Sequence, residues 1–169
     1  MKRADVEVRR ARPEDLSVIG ELGAQLVHAH HAFDPQRFLS PGPDSARHYG
    51  AFLGSQLRRR DTAVFVAERA GTVVGYVYVE LEPRNWKELR DESGFIHDVV
   101  VASEARRQGV ATRLLSAATE WLTERGSSLV VLWTAAHNDA ARRLFEQAGF
   151  RPTMIEMTRN LGHSELSSE

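Results

Sequence analysis

The stretch from Phe95 to Leu115, FIHDVVVASEARRQGVATRLL, constrains this chain most, because it changes periodicity across one short polar loop. Phe95 to Ala102 is an apolar run interrupted only by His97 and Asp98, which suits a strand covered on both faces. From Gly109 on, Val110, Ala111, Leu114, Leu115, Ala118 and Leu122 recur at helical spacing. Arg113, Ser116, Thr119, Glu120 and Thr123 fall on the opposite side, and Gly126 supplies a C-terminal stop. Ser128 to Ala135 is a second apolar strand, so the segment predicts a βαβ unit with its strands parallel.

The chemistry of that unit lies where the loop enters the helix. Free backbone N–H groups and the positive end of the helix dipole favour phosphate there. Gly109 carries no Cβ to hold a phosphate away from the main chain, and Arg106 and Arg107 add fixed positive charge. Neither G-x-x-x-x-G-K-[ST] nor G-x-G-x-x-G is present, which excludes two common phosphate loops. The residues alone leave two readings open: an anion site, or an ordinary strand–helix turn.

Arg106-Arg107-Gln108-Gly109-Val110-Ala111 resembles the [RQ]-x-x-G-x-[GA] acetyl-CoA signature of the GNAT N-acetyltransferases, and Val101 stands where that family's strand usually ends in valine. Asn138 through Phe150, NDAARRLFEQAGF, resembles the family's second hallmark, N-x-x-A-x-x-[LF]-[YF]-x-x-x-G-F. The two motifs occur in the family's order with one strand between them, and the likeness spans roughly residues 62–161. It implies the GNAT fold, of α/β (α+β) class. That fold has a central, mixed, mostly antiparallel sheet with a parallel, splayed strand pair in a βαβ unit, flanked by about four helices. It further implies an acyltransferase that moves acetyl from acetyl-CoA, as co-substrate, to a primary amine on a small molecule or peptide.

The rest of the chain fits one domain over 1–161 and a frayed tail at 162–169. At 169 residues, such a domain buries about 70% of its unfolded surface. Val6 to Ala11 alternates as a strand does, and Arg12-Pro13-Glu14-Asp15 opens a helix with the stripe Leu16, Ile19, Leu22, Gly23, Leu26 and Val27, which fades at His28. Ser45 to Arg60 predicts a second helix, and Thr62–Glu68 and Val73–Leu81 predict a hairpin turning at Ala70-Gly71-Thr72. Glu82 to Ser93 is polar with a short helical turn, and Phe150 to Leu161 predicts one or two closing strands. Members of this family often dimerise through those strands, so the resemblance allows a homodimer.

Net charge is −1, which offers no attraction to nucleic acid or acidic membranes. No run is long and apolar enough to span a bilayer, and a cytoplasmic protein is expected. Absence of cysteine excludes disulfides, a cysteine nucleophile and thiolate metal ligands. No metal is expected; His28, His30 and His31 read as solvent-facing or hydrogen-bonded residues of a loop that, in the family, shapes the acceptor pocket.

An amine of pKa about 10.4 is neutral in only about one part in a few thousand at pH 7, so a base matters. A positioned one contributes about 10²–10⁴ in rate. In the family that base often sits on the strand before the signature, which makes His97 and Asp98 the candidates here, with Glu80 on the neighbouring strand as a third. His97 is favoured for its ordinary pKa near neutrality. Each also reads as a hydrogen-bonded structural residue of the sheet. Strict alternation puts Phe95, His97, Val99 and Val101 on one face and Ile96, Asp98 and Val100 on the other, unless the bulge usual in this family's strand changes the assignment.

By resemblance, the oxyanion and pantetheine contacts are main-chain groups of Val99, Val100 and Val101. The pyrophosphate rests on the amides from Arg107 to Thr112, including those of Gln108, Gly109, Val110 and Ala111. Asn138 reads as helix cap and as coenzyme contact. Phe145 replaces the tyrosine that the family often uses to protonate the departing thiolate, which keeps a rival in view: an acyl-CoA-binding sensor or scaffold with little catalysis. Tyr76 and Tyr78 are weak substitutes for that acid. Trp86 and its acidic neighbours read as a solvated loop or as a cradle for a cationic amine.

Overall fold

Alternating apolar and charged residues let Val6–Arg10 (β1) lie half-buried beside Thr62–Arg69 (β2), antiparallel, with Val8 opposite Ala67. A computed structural model describes residues 5–161; the expected frayed tail lies outside the described residues. Ala70 and Gly71 both take left-handed backbone (φ 50° and 78°), the geometry of a two-residue hairpin turn whose twist matches the strands it joins. It connects β2 to Thr72–Glu82 (β3), which pairs antiparallel with Ser93–Val101 (β4). Val130–Leu132 (β5) adds in parallel to Gly94–Ile96, giving a five-stranded sheet in chain order.

Helices cover both faces. Val110–Thr123 (α3) lays Val110, Leu114, Leu115, Ala118 and Leu122 on one face, against Ala63, Ala67, Val77, Val79 and Ile96. On the other face, Leu16–Phe33 (α1) and Ser45–Gln56 (α2) bring Ile19, Leu22 and Leu53 against Val64, Val66, Tyr76, Tyr78 and Val100. α1 and α2 cross closely because glycines stand at the contact: a Cβ on Gly20 would lie 2.5 Å from the Ala46 carbonyl oxygen. Asp15 anchors the start of α1, accepting from both terminal nitrogens of Arg9 (2.8 and 3.0 Å) and from the Arg12 amide (2.7 Å). Asp139–Gln147 (α4) follows β5 and packs Leu144 and Phe145 against the α3 side.

Five expectations about extent change. The strand expected over Ser128–Ala135 is only Val130–Leu132. α1 continues to Phe33 past the faded periodicity, since His30 uses Nδ1 on the Leu26 carbonyl (2.9 Å) and its ring edge on Phe38. α2 stops at Gln56 rather than Arg60, because the Gln56 carbonyl accepts from the Thr62 hydroxyl (2.6 Å) and turns the chain into β2. The segment after β3 is closed by an isolated Asn85–Arg90 bridge and holds no helix. The closing strands are not formed: residues 151–161 are exposed without regular structure, and their contacts are side-chain pairs of Arg37 with Glu156 and Gln36 with Asn160. A strand exists through its ladder, and the three-residue β5 gives that segment little edge to pair with. Among the described residues, no helix is long and apolar enough to cross a membrane.

Candidate active site

The surroundings of His97 and Asp98 follow from one extra residue in β4. Tyr78 pairs with Asp98, but its neighbour Val79 pairs with Ile96, so His97 has no partner on β3. The main chain records the same insertion independently. Gly94 donates its N–H to the Leu129 carbonyl on the β5 side (2.8 Å), whereas Ala102 donates to Val74 on the β3 side (2.9 Å). Eight residues apart, these two amides would point the same way in an unbroken strand. The bulge at His97 reverses them.

This overturns the face assignment that alternation predicted for His97 and Asp98. Ile96 goes to the α3 face, and Val99 and Val101 pack against that same cluster. His97 and Asp98 both meet the α1–α2 side: His97 stacks between Tyr78 and Phe95 (centroids 4.8 and 4.6 Å), and Asp98 accepts from Tyr49 and Tyr76. The bulge also sorts the three valines. Continuing the alternation back from Ala102, the Val100 peptide faces β3, while those of Val99 and Val101 face the side where β5 would continue. β5 pairs no further than Leu132, opposite Ile96. Beyond that point β5 ends and β4 has no strand paired on this side among the described residues, with Trp133, 65% exposed, T-shaped to Phe95.

Asp98 is buried, and both hydroxyls reach the same oxygen, Tyr49 at 2.7 Å and Tyr76 at 3.0 Å. Burial pushes its carboxyl above the ordinary value, and the two hydrogen bonds oppose that shift. Both tyrosines are pushed up in turn by burial and by the Asp98 charge. So enclosed, Asp98 has the surroundings of a structural carboxylate that ties α2 to β4.

His97 has the opposite surroundings. Its Nε2 lies 3.5 Å from Glu80 Oε2 and 3.4 Å from Glu82 Oε1, with side-chain exposures of 29%, 14% and 22% for the three residues. The other oxygen of each carboxylate is held by an arginine: Arg59 on Glu80 (2.5 Å) and Arg90 on Glu82. The arginines therefore aim the remaining oxygens at one point beside the imidazole. Among the described residues this is also the one group close enough to receive a metal ion. The two flanking guanidiniums oppose a divalent charge more than a single ammonium.

At the far end of β4, Arg107 and Gly109 are left-handed (φ 61° and 78°), which curls the loop before α3. The first helical bond runs from Arg113 N–H to the Gly109 carbonyl at 3.1 Å. Among the described residues, the amides of Arg107 to Thr112 have no acceptor. A Cβ on Gly109 would meet nothing within 4 Å, so the space over these amides is open. Gln108 is a strut, donating to the Glu104 carbonyl (2.9 Å) and accepting from Arg69 (2.7 Å). Arg106 turns back onto the Val101 carbonyl (3.1 Å).

Residues 25–150 match the acetyltransferase (GNAT) family. The chain belongs to that family. Bacillus subtilis (strain 168) holds a relative described as an uncharacterized N-acetyltransferase, YhfO, 28% identical over 86% of this chain and 89% of the relative. The N-alpha-acetyltransferase of Sulfurisphaera tokodaii is 30% identical over 67% of this chain and 70% of its own. Among solved structures, the aminoglycoside N-acetyltransferase AAC(6')-Iy in complex with CoA superposes with a TM-score of 0.72, at 19% identity over 95% of this chain and 98% of that one. The last likeness concerns the fold alone.

In this GNAT acyltransferase, Asn138 caps α4, its side chain accepting from the Ala141 amide at 3.1 Å. Phe145 packs beside the α3 core with its ring edge toward Phe150, and supplies no proton. Tyr76 is spent on Asp98, and Tyr78 donates to Glu80 Oε2 (3.1 Å) or Gln56 (3.2 Å). Glu82 was not singled out as a site residue from sequence. Its position two residues after Glu80 on one strand, hence on the same face, was the available signal.

Proposed function

We propose that this protein transfers acetyl from acetyl-CoA to a primary amine by direct attack within a ternary complex. The observation that carries the reading is the row of unpaired amides from Arg107 to Thr112, set at the helix end of β4, past the point where β5 stops pairing with it. Such amides, with the α3 dipole behind them, suit a pyrophosphate. The Val99 peptide and the N–H of Val101, whose carbonyl is taken by Arg106, line the gap that a thioester entering from there would occupy.

His97 is the base in this reading. The amine arrives as an ammonium against Glu80 Oε2 and Glu82 Oε1 and yields one proton to His97 Nε2, where the two carboxylates stabilise the imidazolium. The freed lone pair attacks the thioester carbonyl carbon, and main-chain N–H groups at the gap hold the resulting oxyanion. Collapse breaks the carbon–sulfur bond. The thiolate, a tolerable leaving group at a thiol pKa of about 8.5, takes the second nitrogen-bound proton through water, and His97 returns its own to solvent. Asp98 holds the bulge through Tyr49 and Tyr76 and touches no reacting atom. No cysteine is available for an acyl-enzyme.

Calorimetry with acetyl-CoA and a thiol-release assay over a panel of amines test this. Wild type should bind the coenzyme and turn over at least one amine, while Gly109→Glu, which puts a carboxylate among the amides, should abolish binding and keep the circular dichroism spectrum. Binding without turnover on any amine favours the sensor; unchanged affinity in Gly109→Glu moves the phosphate site elsewhere.

A further inference from the structure

We infer that the acceptor is an aliphatic amine carrying at least one further positive charge and no carboxylate near its reacting nitrogen. This rests on the proposed acetyl transfer and narrows its substrate class. The charges around His97 form one linked set: Arg59 bridges Asp61 and Glu80, and Arg90 bridges Glu82 and Glu88. Four carboxylates thus share two guanidiniums, which leaves the set at −2 while the imidazole is neutral. One ammonium at Glu80 Oε2 and Glu82 Oε1 cancels half of that charge. A second positive centre on the same molecule cancels the rest.

There is room for it. An open cavity of about 480 Å³ adjoins the cluster, with Glu80 and Glu82 on one wall and Trp86 on another. Arg84, which also lines it, is held by Asp91 through two hydrogen bonds, and Lys87 sits exposed at the rim, where solvent screens it. The Arg84 guanidinium lies over the Trp86 ring (5.6 Å to its centroid), and the rest of that exposed ring offers an apolar surface to the methylenes of a ligand. Glu80 and Glu82 are largely covered by protein, so a carboxylate brought against them meets repulsion in a partly desolvated site. A free amino acid is therefore a poor acceptor, and so is an amine whose only charge is the one it must lose.

Butylamine, 1,4-diaminobutane and 4-aminobutanoate differ only in the far end group and isolate this term. A charge-assisted hydrogen bond at the far end sets a preference of about tenfold or more. The kcat/KM for 1,4-diaminobutane should exceed that for butylamine by at least about tenfold, and 4-aminobutanoate should rank last. Glu82→Gln should collapse the diamine-to-butylamine ratio toward one while leaving acetyl-CoA affinity unchanged. Calorimetric titration of 1,4-diaminobutane into the CoA-saturated protein supplies a readout without turnover. Equal rates for the three amines, or an unaltered ratio in Glu82→Gln, overturn the inference and leave acetyl transfer standing. Binding of the diamine, lost in Glu82→Gln, with no turnover of any amine, supports the charge reading and overturns the transfer.

Discussion

Gly23 offers a test in which two ordinary rules predict opposite signs. It lies inside α1, where Gly→Ala normally stabilises a helix by about 1 kcal/mol. Here a Cβ would fall 2.1 Å from Tyr49 Cδ1 and 2.6 Å from Cε1, so the ring must move by more than an ångström to reach ordinary contact. That ring is tethered at its far end, where its hydroxyl donates to buried Asp98 at 2.7 Å. Overpacking costs about 1–3 kcal/mol. Loss of a hydrogen bond to a charged group costs about 1.5–3 kcal/mol more. After subtracting the propensity gain, the net destabilisation is between about 1.5 and 5 kcal/mol. At the middle of that range, about 3 kcal/mol, a chain of this size loses about 6–12 °C in Tm. Thermal unfolding followed by circular dichroism measures it, with Tyr49→Phe isolating the hydrogen-bond share and Gly42→Ala, which meets nothing within 4 Å, as the neutral control. A Gly23→Ala protein as stable as wild type, or more so, refutes the tethered-ring argument.

Two further outcomes are expected. His97→Gln should lower kcat about 10²–10⁴-fold with unchanged acetyl-CoA affinity by calorimetry, since the ring touches the amine site and not the phosphate loop. Because burial raises the Asp98 carboxyl in the folded state, the folded protein binds that proton more tightly than the unfolded chain. The group's stabilising contribution is then complete below about pH 4 and is lost as pH rises through the raised folded value. Asp98→Asn should remove that segment from the stability–pH curve, measured by urea unfolding; an identical curve for both proteins would falsify the assignment.

The βαβ unit, both motif helices and the hairpin at Ala70-Gly71 were legible because each depends on residues close in sequence: helical spacing from Val110 to Leu122, a glycine at a left-handed turn, Asn138 beside its own helix. A bulge in this strand was suggested by the family resemblance, but its place was not legible, because alternation is a counting rule and His97 carries no mark of being uncounted. Nor was the Tyr49–Asp98 bond legible: its partners are 49 residues apart and meet only when α2 packs on the sheet. The closing strands failed for a related reason, since a β-rich composition in 150–161 specifies willingness to pair but not the edge that would accept it.

An inserted residue in a ladder is one the ladder does not count. Deleting His97 would bring Ile96 and Asp98 into plain succession opposite Val79 and Tyr78, and every other side chain of β4 would keep the face it now has. The sheet could thus lose this position and remain the same sheet, so the ladder by itself gives no reason for a histidine here.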